Sequence, residues 1–203
     1  EILGMWVGEN ESSKYWLMVL NQLKDRGLED VLIFSTDNLP GFSQAIEVVY
    51  PKAEIQKCII HQIRNSTKYV SYKDLKELMR DLKTIYKAPT EEVALSNLDD
   101  FEEKWKNKYP MCVSSWRNNW AELSTYFKYP QEMRTIIYTT NAMENFNRQL
   151  RKVTKSKSIF PNDFALSKSL YLAMIDASQK WTSRIRNWDL IRYQLSIFFE
   201  GRI

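Results

Sequence analysis

The feature that most constrains the fold is a short apolar run, Val31–Phe34, that ends at a polar turn. Its length and composition predict a buried strand, and the turn closes with Pro40 and Gly41 before a helical pattern begins. Asp37 stands in this turn, at the C-terminal end of the predicted strand. In α/β sheets that end of the strands borders the crevice where ligands and metals bind. The run therefore predicts an α/β fold and makes Asp37 a candidate site residue.

Strands and helices alternate in the first part of the chain, and helical patterns dominate the rest. Strands are predicted over 1–8, 31–36 and 55–60, separated by helices over 10–26 and 40–50. We divide the chain into 1–70 as the first part of an α/β core, 71–138 as a helical insertion, and 139–203 as the completion of the core with C-terminal helices. Because the chain starts inside a strand pattern and not at Met, we expect it to be part of a longer protein.

Composition describes a folded protein of the reducing cytoplasm. Of the 203 residues 44% are hydrophobic and 27% are charged, which excludes an intrinsically disordered chain. No apolar run approaches the length needed to cross a bilayer, and no signal-peptide pattern opens the sequence. Cys58 and Cys112 are too few for a disulfide scaffold. The net charge of +4 is mild, so the distribution of charge carries more information than its sum.

A second carboxylate, Glu144, stands in the first turn of a predicted helix that is basic from there on. Between residues 134 and 157 it is the single acid among these cations: Arg134, Arg148, Arg151, Lys152, Lys155 and Lys157. Helical spacing places one group of polar residues on a common face: Glu144, Arg148, Arg151 and Lys155. A different face carries the apolar positions that we expect to be core: Met143, Phe146, Leu150 and Val153.

Both acids also have structural interpretations. Asn141-x-x-Glu144 matches a capping box, which would occupy the Glu144 carboxylate. Asp37 could form an Asx turn or a helix cap, and a basic helix face is often only a solvated surface. The combination of two acids with cations beside one of them favours another role. Convergent carboxylates can hold a pair of divalent ions about 3.5–4 Å apart for phosphoryl transfer, with cations holding the nucleic-acid backbone.

Cys58-x-x-His61 suggests zinc, but a structural zinc site needs four ligands and Cys112 is the only other soft one. We therefore do not favour zinc. The tryptophans are expected mostly in the core, with base stacking by Trp116 or Trp120 as the alternative.

Four segments give the chain a resemblance to a known family. They are Asp37–Phe42, Cys58–Asn65, Ser115–Trp120 and Tyr138–Lys152. Over nearly the whole chain the sequence resembles the Mutator-type transposases of bacterial insertion sequences. The resemblance implies a ribonuclease-H-like core with an Asp-Asp-Glu triad, interrupted by a helical insertion. Asp37 then matches the second acid and Glu144 the third, and Arg151 matches the basic residue expected seven positions later.

The resemblance also implies what the site residues do. Asp37 and Glu144 would bind Mg²⁺ or Mn²⁺ in a two-metal site, and DNA would lie against a set of basic residues: Arg148, Arg151, Lys152 and Lys155. His61 would contact a phosphate or support a carboxylate. Activated water would cut at the terminal inverted repeats, and the freed 3′-hydroxyl would attack target DNA. A homodimer would pair the two ends in the bacterial nucleoid.

The sequence departs from the family pattern at two points. The first triad Asp belongs upstream of Glu1, so we expect this chain alone to be catalytically weak or inactive. Asn38 stands where the family usually has Gly, and Asn tolerates the left-handed conformation of a tight turn.

Two other functions stay open. A non-catalytic DNA-binding or assembly module of the same fold would bind DNA in a salt-sensitive way without needing either acid. A ribonuclease-H-like nuclease would cut DNA without joining it.

Overall fold

The computed structural model describes residues 1–8, 10–68, 70–138, 141–155, 159–179, 181 and 185–203, without the side chains of 141 and 142. The two strands are β1, Ile33–Thr36, and β2, Glu54–Lys57. The helices before the predicted insertion are α1, Ser13–Asp25; α2, Phe42–Val49; and α3, Ile59–Thr67. The next are α4, Tyr72–Tyr86; α5, Glu91–Trp105; α6, Pro110–Asn118; α7, Trp120–Leu123; a 3₁₀ turn, Thr125–Lys128; and α8, Gln131–Ile137. The last are α9, Asn141–Lys155; α10, Asp163–Gln179; and α11, Trp188–Phe198.

The chain separates into two compact units. The first unit comprises Glu1–Val31, Pro40–Pro51 and Thr140–Ile203, and the second comprises Leu32–Leu39 and Lys52–Thr139. The mixture of many helices with a small parallel sheet is consistent with an α/β protein. The division at residues 70 and 138 stays a prediction. Within the described residues, no helix combines the length and apolar character that crossing a membrane requires.

The second unit contains the sheet. β1 and β2 pair in parallel, with Ile33 opposite Glu54 and Thr36 opposite Lys57. The predicted strand over 31–36 is confirmed in its C-terminal part, residues 33–36. The predicted strand over 55–60 was wrong at its end, because Cys58 is the N-cap of α3 and the helix begins at Ile59. The apolar pair after Cys58 therefore lies in a buried helix. From a short apolar run alone, such a helix is not distinguishable from a strand.

The helices after α3 in the second unit pack around a core of large apolar side chains, as their periodicity predicts. This core includes Leu78, Leu82, Ile85, Leu98, Phe101 and Met133. Trp116 is also fully buried, at 0% exposure, and its Nε1–H donates to Ser66 Oγ at 2.7 Å. Base stacking by Trp116 is therefore wrong. Trp120 is half-buried, and its Nε1–H donates to Glu91 at 3.2 Å.

In the first unit, α1 packs against α2. Trp16 and Phe42 stack with ring centroids 4.2 Å apart. Gly41 makes this approach possible, because its φ is 75° and a Cβ there would lie 1.9 Å from Ser13 Oγ.

The predicted strand over residues 1–8 was wrong, since no strand is formed there. The segment packs on α1 instead: the Trp6 Nε1–H donates to Gln22 Oε1 at 2.6 Å. A strand needs a partner backbone for its hydrogen bonds, and side-chain anchoring to a helix supplies none.

Candidate active site

The register of the sheet brings Asp37 next to Cys58. Thr36 and Lys57 are the last paired residues, so the chain leaves both strands at the same edge of the sheet. The Cys58 N–H donates to the Thr36 carbonyl at 2.7 Å and extends the ladder by one bond. The Leu39 N–H donates to the Asp37 carbonyl at 2.8 Å, which turns the chain sharply after the carboxylate.

The first turn of α3 then places His61 against both residues. His61 Nδ1 lies 2.8 Å from Asp37 Oδ1 and 3.3 Å from Cys58 Sγ. Potential ligand atoms of the three residues all lie within 4.8 Å of one another, the one such group found among the described residues. The Asp37 and His61 side chains are 41% and 29% exposed, whereas Cys58 is buried. We call Asp37, Cys58 and His61 the strand-end cluster.

A polar brace supports the strand-end cluster from the side of α6 and α7. Asn119, between α6 and α7, accepts hydrogen bonds at Oδ1 from Lys57 Nζ at 2.7 Å and Asn38 Nδ2 at 3.3 Å. Lys57 also forms an ion pair with Glu122. The Asn119 amide donates in turn to the Ser115 carbonyl at 2.7 Å. The motif Ser115–Trp120 therefore contains the residue that ties the turn after β1 to the end of β2.

Sequence reasoning did not find Lys57 and Asn119, although the motif containing Asn119 was already part of the resemblance. The sequence interpretation of Asn38, as a residue that tolerates a left-handed conformation, was also wrong. Among the described residues, Asn187 is the one non-glycine residue with positive φ, so Asn38 is not left-handed. The Asn38 side chain contributes through its amide, which a glycine would lack.

Glu144 lies in the first turn of α9, in the first unit. Its side chain is half-buried, and the basic residues that follow are all exposed: Arg148, Arg151, Lys152 and Lys155. Arg148 donates to Asn145 Oδ1, one turn earlier on α9, at 3.0 Å. The Asn141 side chain lies outside the described residues, so the capping box stays a prediction. An anion near this end of the helix is favoured by the helix dipole whichever role Glu144 has.

The apolar face of α9 is confirmed only in part. Phe146 is buried and its ring lies 5.7 Å from that of Trp181, in an edge-on contact. Met143 is 53% exposed, so its assignment to the core was wrong. A residue in the first turn of a helix has fewer neighbours along the helix than a residue in the middle. Apolar periodicity does not take this end effect into account.

Arg134, another cation of the basic segment, does not belong to the basic face of α9. Arg134 donates to the carbonyls of Tyr129 at 2.6 Å, Pro89 at 2.9 Å and Phe127 at 2.9 Å. It therefore holds loops of the second unit together. Lys157 lies outside the described residues.

The donor atoms of the strand-end cluster decide which metals it suits. Asp37 offers a hard carboxylate oxygen, the type of ligand that Mg²⁺ and Mn²⁺ prefer, and its side chain is accessible. Cys58 and His61 offer softer atoms and, with Asp37, make three ligands, one fewer than a structural zinc site needs. Cys112, the other soft ligand that the sequence offers, is not part of this group. By its hardness and accessibility, the Asp37 carboxylate oxygen fits a divalent ion such as Mg²⁺ or Mn²⁺.

The structure brings His61 to Asp37 and keeps the predicted cations with Glu144 on α9. Asp37 belongs to the second unit and Glu144 to the first. Their predicted pairing stays a prediction.

Parallel strands with a carboxylate at their shared end are consistent with an α/β protein that acts at the edge of its sheet. The family model described as "Transposase, Mutator family" matches residues 1–184. The chain belongs to the Mutator family of transposases.

Transposases of several bacteria are similar to all or most of the chain. A transposase for insertion sequence element ISRM3 from Rhizobium meliloti (strain 1021) is 43% identical over all 203 residues, which cover 51% of its length. A probable transposase for an ISRM3-like element from Sinorhizobium fredii is also 43% identical, with the same coverage. The transposase for element IS905 from Lactococcus lactis is 34% identical over 91% of this chain and 47% of its own. The chain thus spans about half the length of these relatives.

Proposed function

We propose that this chain is the catalytic part of a DNA transposase that cuts the ends of an insertion sequence and joins them to target DNA. The observation that carries the proposal is the accessible Asp37 carboxylate at the C-terminal end of β1, held by His61, in a chain of a transposase family. The parallel pair of strands would belong to a ribonuclease-H-like sheet, of which β1 and β2 are neighbouring members.

Asp37 and Glu144 are the proposed ligands of Mg²⁺ or Mn²⁺, as the second and third acids of an Asp-Asp-Glu triad. When bound, the ions would stabilise the attacking and leaving oxygens of phosphoryl transfer. The exposure of Asp37 and its position at a strand end support this role. For Glu144, the support is its position at the start of a basic helix.

The exposed cations of α9 are proposed to hold the DNA backbone next to Glu144. Four side chains follow one another over two turns and face solvent: Arg148, Arg151, Lys152 and Lys155. Arg and Lys contacts to phosphate position a duplex without reading its sequence. They therefore suit a protein that must hold both terminal inverted repeats and varied target DNA. We propose that a homodimer in the nucleoid pairs the two ends.

The test is cleavage and strand transfer on a terminal-repeat duplex by the full-length protein with Mg²⁺. Asp37→Asn and Glu144→Gln should each lower the cleavage rate by about 10³-fold, since metal stabilisation of several kcal/mol is lost at 1.36 kcal/mol per factor of ten. Glu47→Gln, an exposed acid on α2, is the matched control and should leave the rate unchanged. Wild-type rates in either site variant would contradict the proposal.

The exposed cations of α9 would equally serve a non-catalytic DNA-binding module, which is the second candidate. That module would bind DNA with the same salt sensitivity in Asp37→Asn as in the wild type, and no cleavage would depend on divalent ions. A nuclease that only cuts would show metal-dependent cleavage without strand-transfer products.

A further inference from the structure

In the hydrogen bond between His61 and Asp37, His61 is the donor. A carboxylate only accepts hydrogen bonds, so the 2.8 Å contact from Nδ1 to Oδ1 requires the proton on Nδ1. One Asp37 oxygen is therefore fixed by the ring, while the side chain as a whole stays 41% exposed. The carboxylate is held at one oxygen and open to solvent.

We propose that His61 is a positioning residue: it fixes the rotation of the Asp37 carboxylate so that the other oxygen faces the metal. This inference rests on the proposed function, and it assigns to His61 a role different from direct DNA contact. Carboxylates that ligate metals are commonly held by such outer hydrogen bonds, and loss of one typically weakens metal binding 10–100-fold.

Asp37 needs such support because its own backbone gives little. It follows the last residue of β1, and its carbonyl accepts in a tight turn from Leu39. An accessible side chain on a turn samples several rotamers unless a neighbour holds it, and ordering it costs conformational entropy. A hydrogen bond made before the metal arrives lowers that cost at binding.

His61 is well placed to hold the Asp37 carboxylate, because two contacts of Cys58 fix the position of the histidine. Cys58 is the N-cap residue of α3, and its backbone N–H donates to the Thr36 carbonyl at 2.7 Å. This bond ties the start of the helix to the end of β1. The buried Cys58 Sγ then lies 3.3 Å from His61 Nδ1 and limits the ring on that side. The Cys-x-x-His spacing thus places the cysteine at the N-cap and the histidine one turn later, over the strand end.

Two substitutions of His61 separate positioning from a merely structural role. The amide Nδ2 of Asn stands close to where Nδ1 of His stands, so His61→Asn keeps a donor for Asp37, whereas His61→Leu removes it. Asn65→Ala, at an exposed position on the same helix, is the matched control. Circular dichroism of the full-length variants checks that they fold.

Mn²⁺ affinity of the full-length protein, measured from the electron paramagnetic resonance signal of free Mn²⁺, is the first readout. His61→Leu should weaken Mn²⁺ binding about 10–100-fold, and the Mg²⁺ concentration for half-maximal cleavage should rise in parallel. His61→Asn should restore most of the affinity, and Asn65→Ala should match the wild type. Unchanged Mn²⁺ affinity in His61→Leu, or failure of His61→Asn to recover more than His61→Leu, would overturn the proposal.

Two further measurements identify competing roles. If His61→Leu weakens DNA binding without metal while Mn²⁺ affinity is unchanged, His61 contacts phosphate and the proposal is wrong. If Co²⁺ produces a thiolate charge-transfer band that Cys58→Ser abolishes, the strand-end cluster is a soft-metal site and the proposal is equally wrong. Failure of the proposed function is distinct: Asp37→Asn would then cut DNA normally, whatever His61 does.

Discussion

At the scale of single residues, burial sets the reactivity of Cys112. This side chain on α6 is 6% exposed, and burial raises the pKa of its thiol from 9.0 to about 11. The thiolate is the reactive form, so a shift of this size leaves about a hundredfold less of it at pH 8. Since the unfolded chain releases this proton first, the contribution to stability is complete below pH 9 and is lost as the pH rises toward 11.

We therefore predict slow alkylation of Cys112 by iodoacetamide at pH 8 while the protein is folded. A Cys58→Ser background assigns the signal to Cys112, and unfolding in guanidinium should increase the rate by about two orders of magnitude. The rate is measured by mass spectrometry. Equal rates in the folded and unfolded protein would show that Cys112 is not held in an apolar site.

The residues of the strand-end cluster show what a sequence can and cannot predict. Asp37 follows an apolar run that stops at a turn, so its place at a strand end could be predicted. The closeness of Cys58 and His61 follows from their spacing across a helix start. The contact between His61 and Asp37 depends on the register between β1 and β2, which no local pattern specifies.

At the scale of elements, one buried amide joins the sheet to α7 and the 3₁₀ turn. Gln56 on β2 is 0% exposed; its Nε2 donates to the Leu123 carbonyl at 2.9 Å, and its Oε1 accepts from the Tyr126 N–H at 2.7 Å. The Thr125 hydroxyl donates to the Ile55 carbonyl at 2.7 Å beside it. These bonds hold the end of α7 and the 3₁₀ turn against the strand.

Replacing Gln56 by Leu should destabilise the protein by about 2–6 kcal/mol. The substitution keeps the bulk of the side chain but leaves one buried carbonyl and one buried N–H without partners, at about 1–3 kcal/mol each. Urea denaturation followed by circular dichroism measures the free energy of unfolding. Gln44→Leu, at an exposed position on α2, is the control and should change it by less than about 0.5 kcal/mol. A loss below about 1 kcal/mol in Gln56→Leu would show that this junction is not anchored by the amide.

Helix periodicity was the most reliable guide to elements, and strand patterns were less so. In α4 and α5 the apolar residues recur at helical spacing along the sequence, and Leu78, Leu82 and Leu98 among them are buried. The segment over 1–8 looked like a strand because its composition is apolar and aromatic. Whether it pairs depends on a neighbouring backbone, and Trp6 binds α1 instead.

At the scale of the whole molecule, the two proposed metal ligands lie far apart in the chain and in different compact units. Spacing within a helix predicted which cations accompany Glu144, because that is a local property. No spacing relates Glu144 to Asp37 across more than a hundred residues, and only the resemblance to a family joined them. The pairing of the two acids is therefore the central claim that an experiment must decide.

The most direct measurement is the anomalous diffraction of Mn²⁺ in crystals of the full-length protein bound to a terminal-repeat duplex. We predict a manganese peak about 2.0–2.2 Å from a carboxylate oxygen of both Asp37 and Glu144, with the Asp37 oxygen that accepts from His61 turned away from the ion. A manganese ion bound to Asp37 while Glu144 lies elsewhere, in a complex that still cuts DNA, would contradict the account.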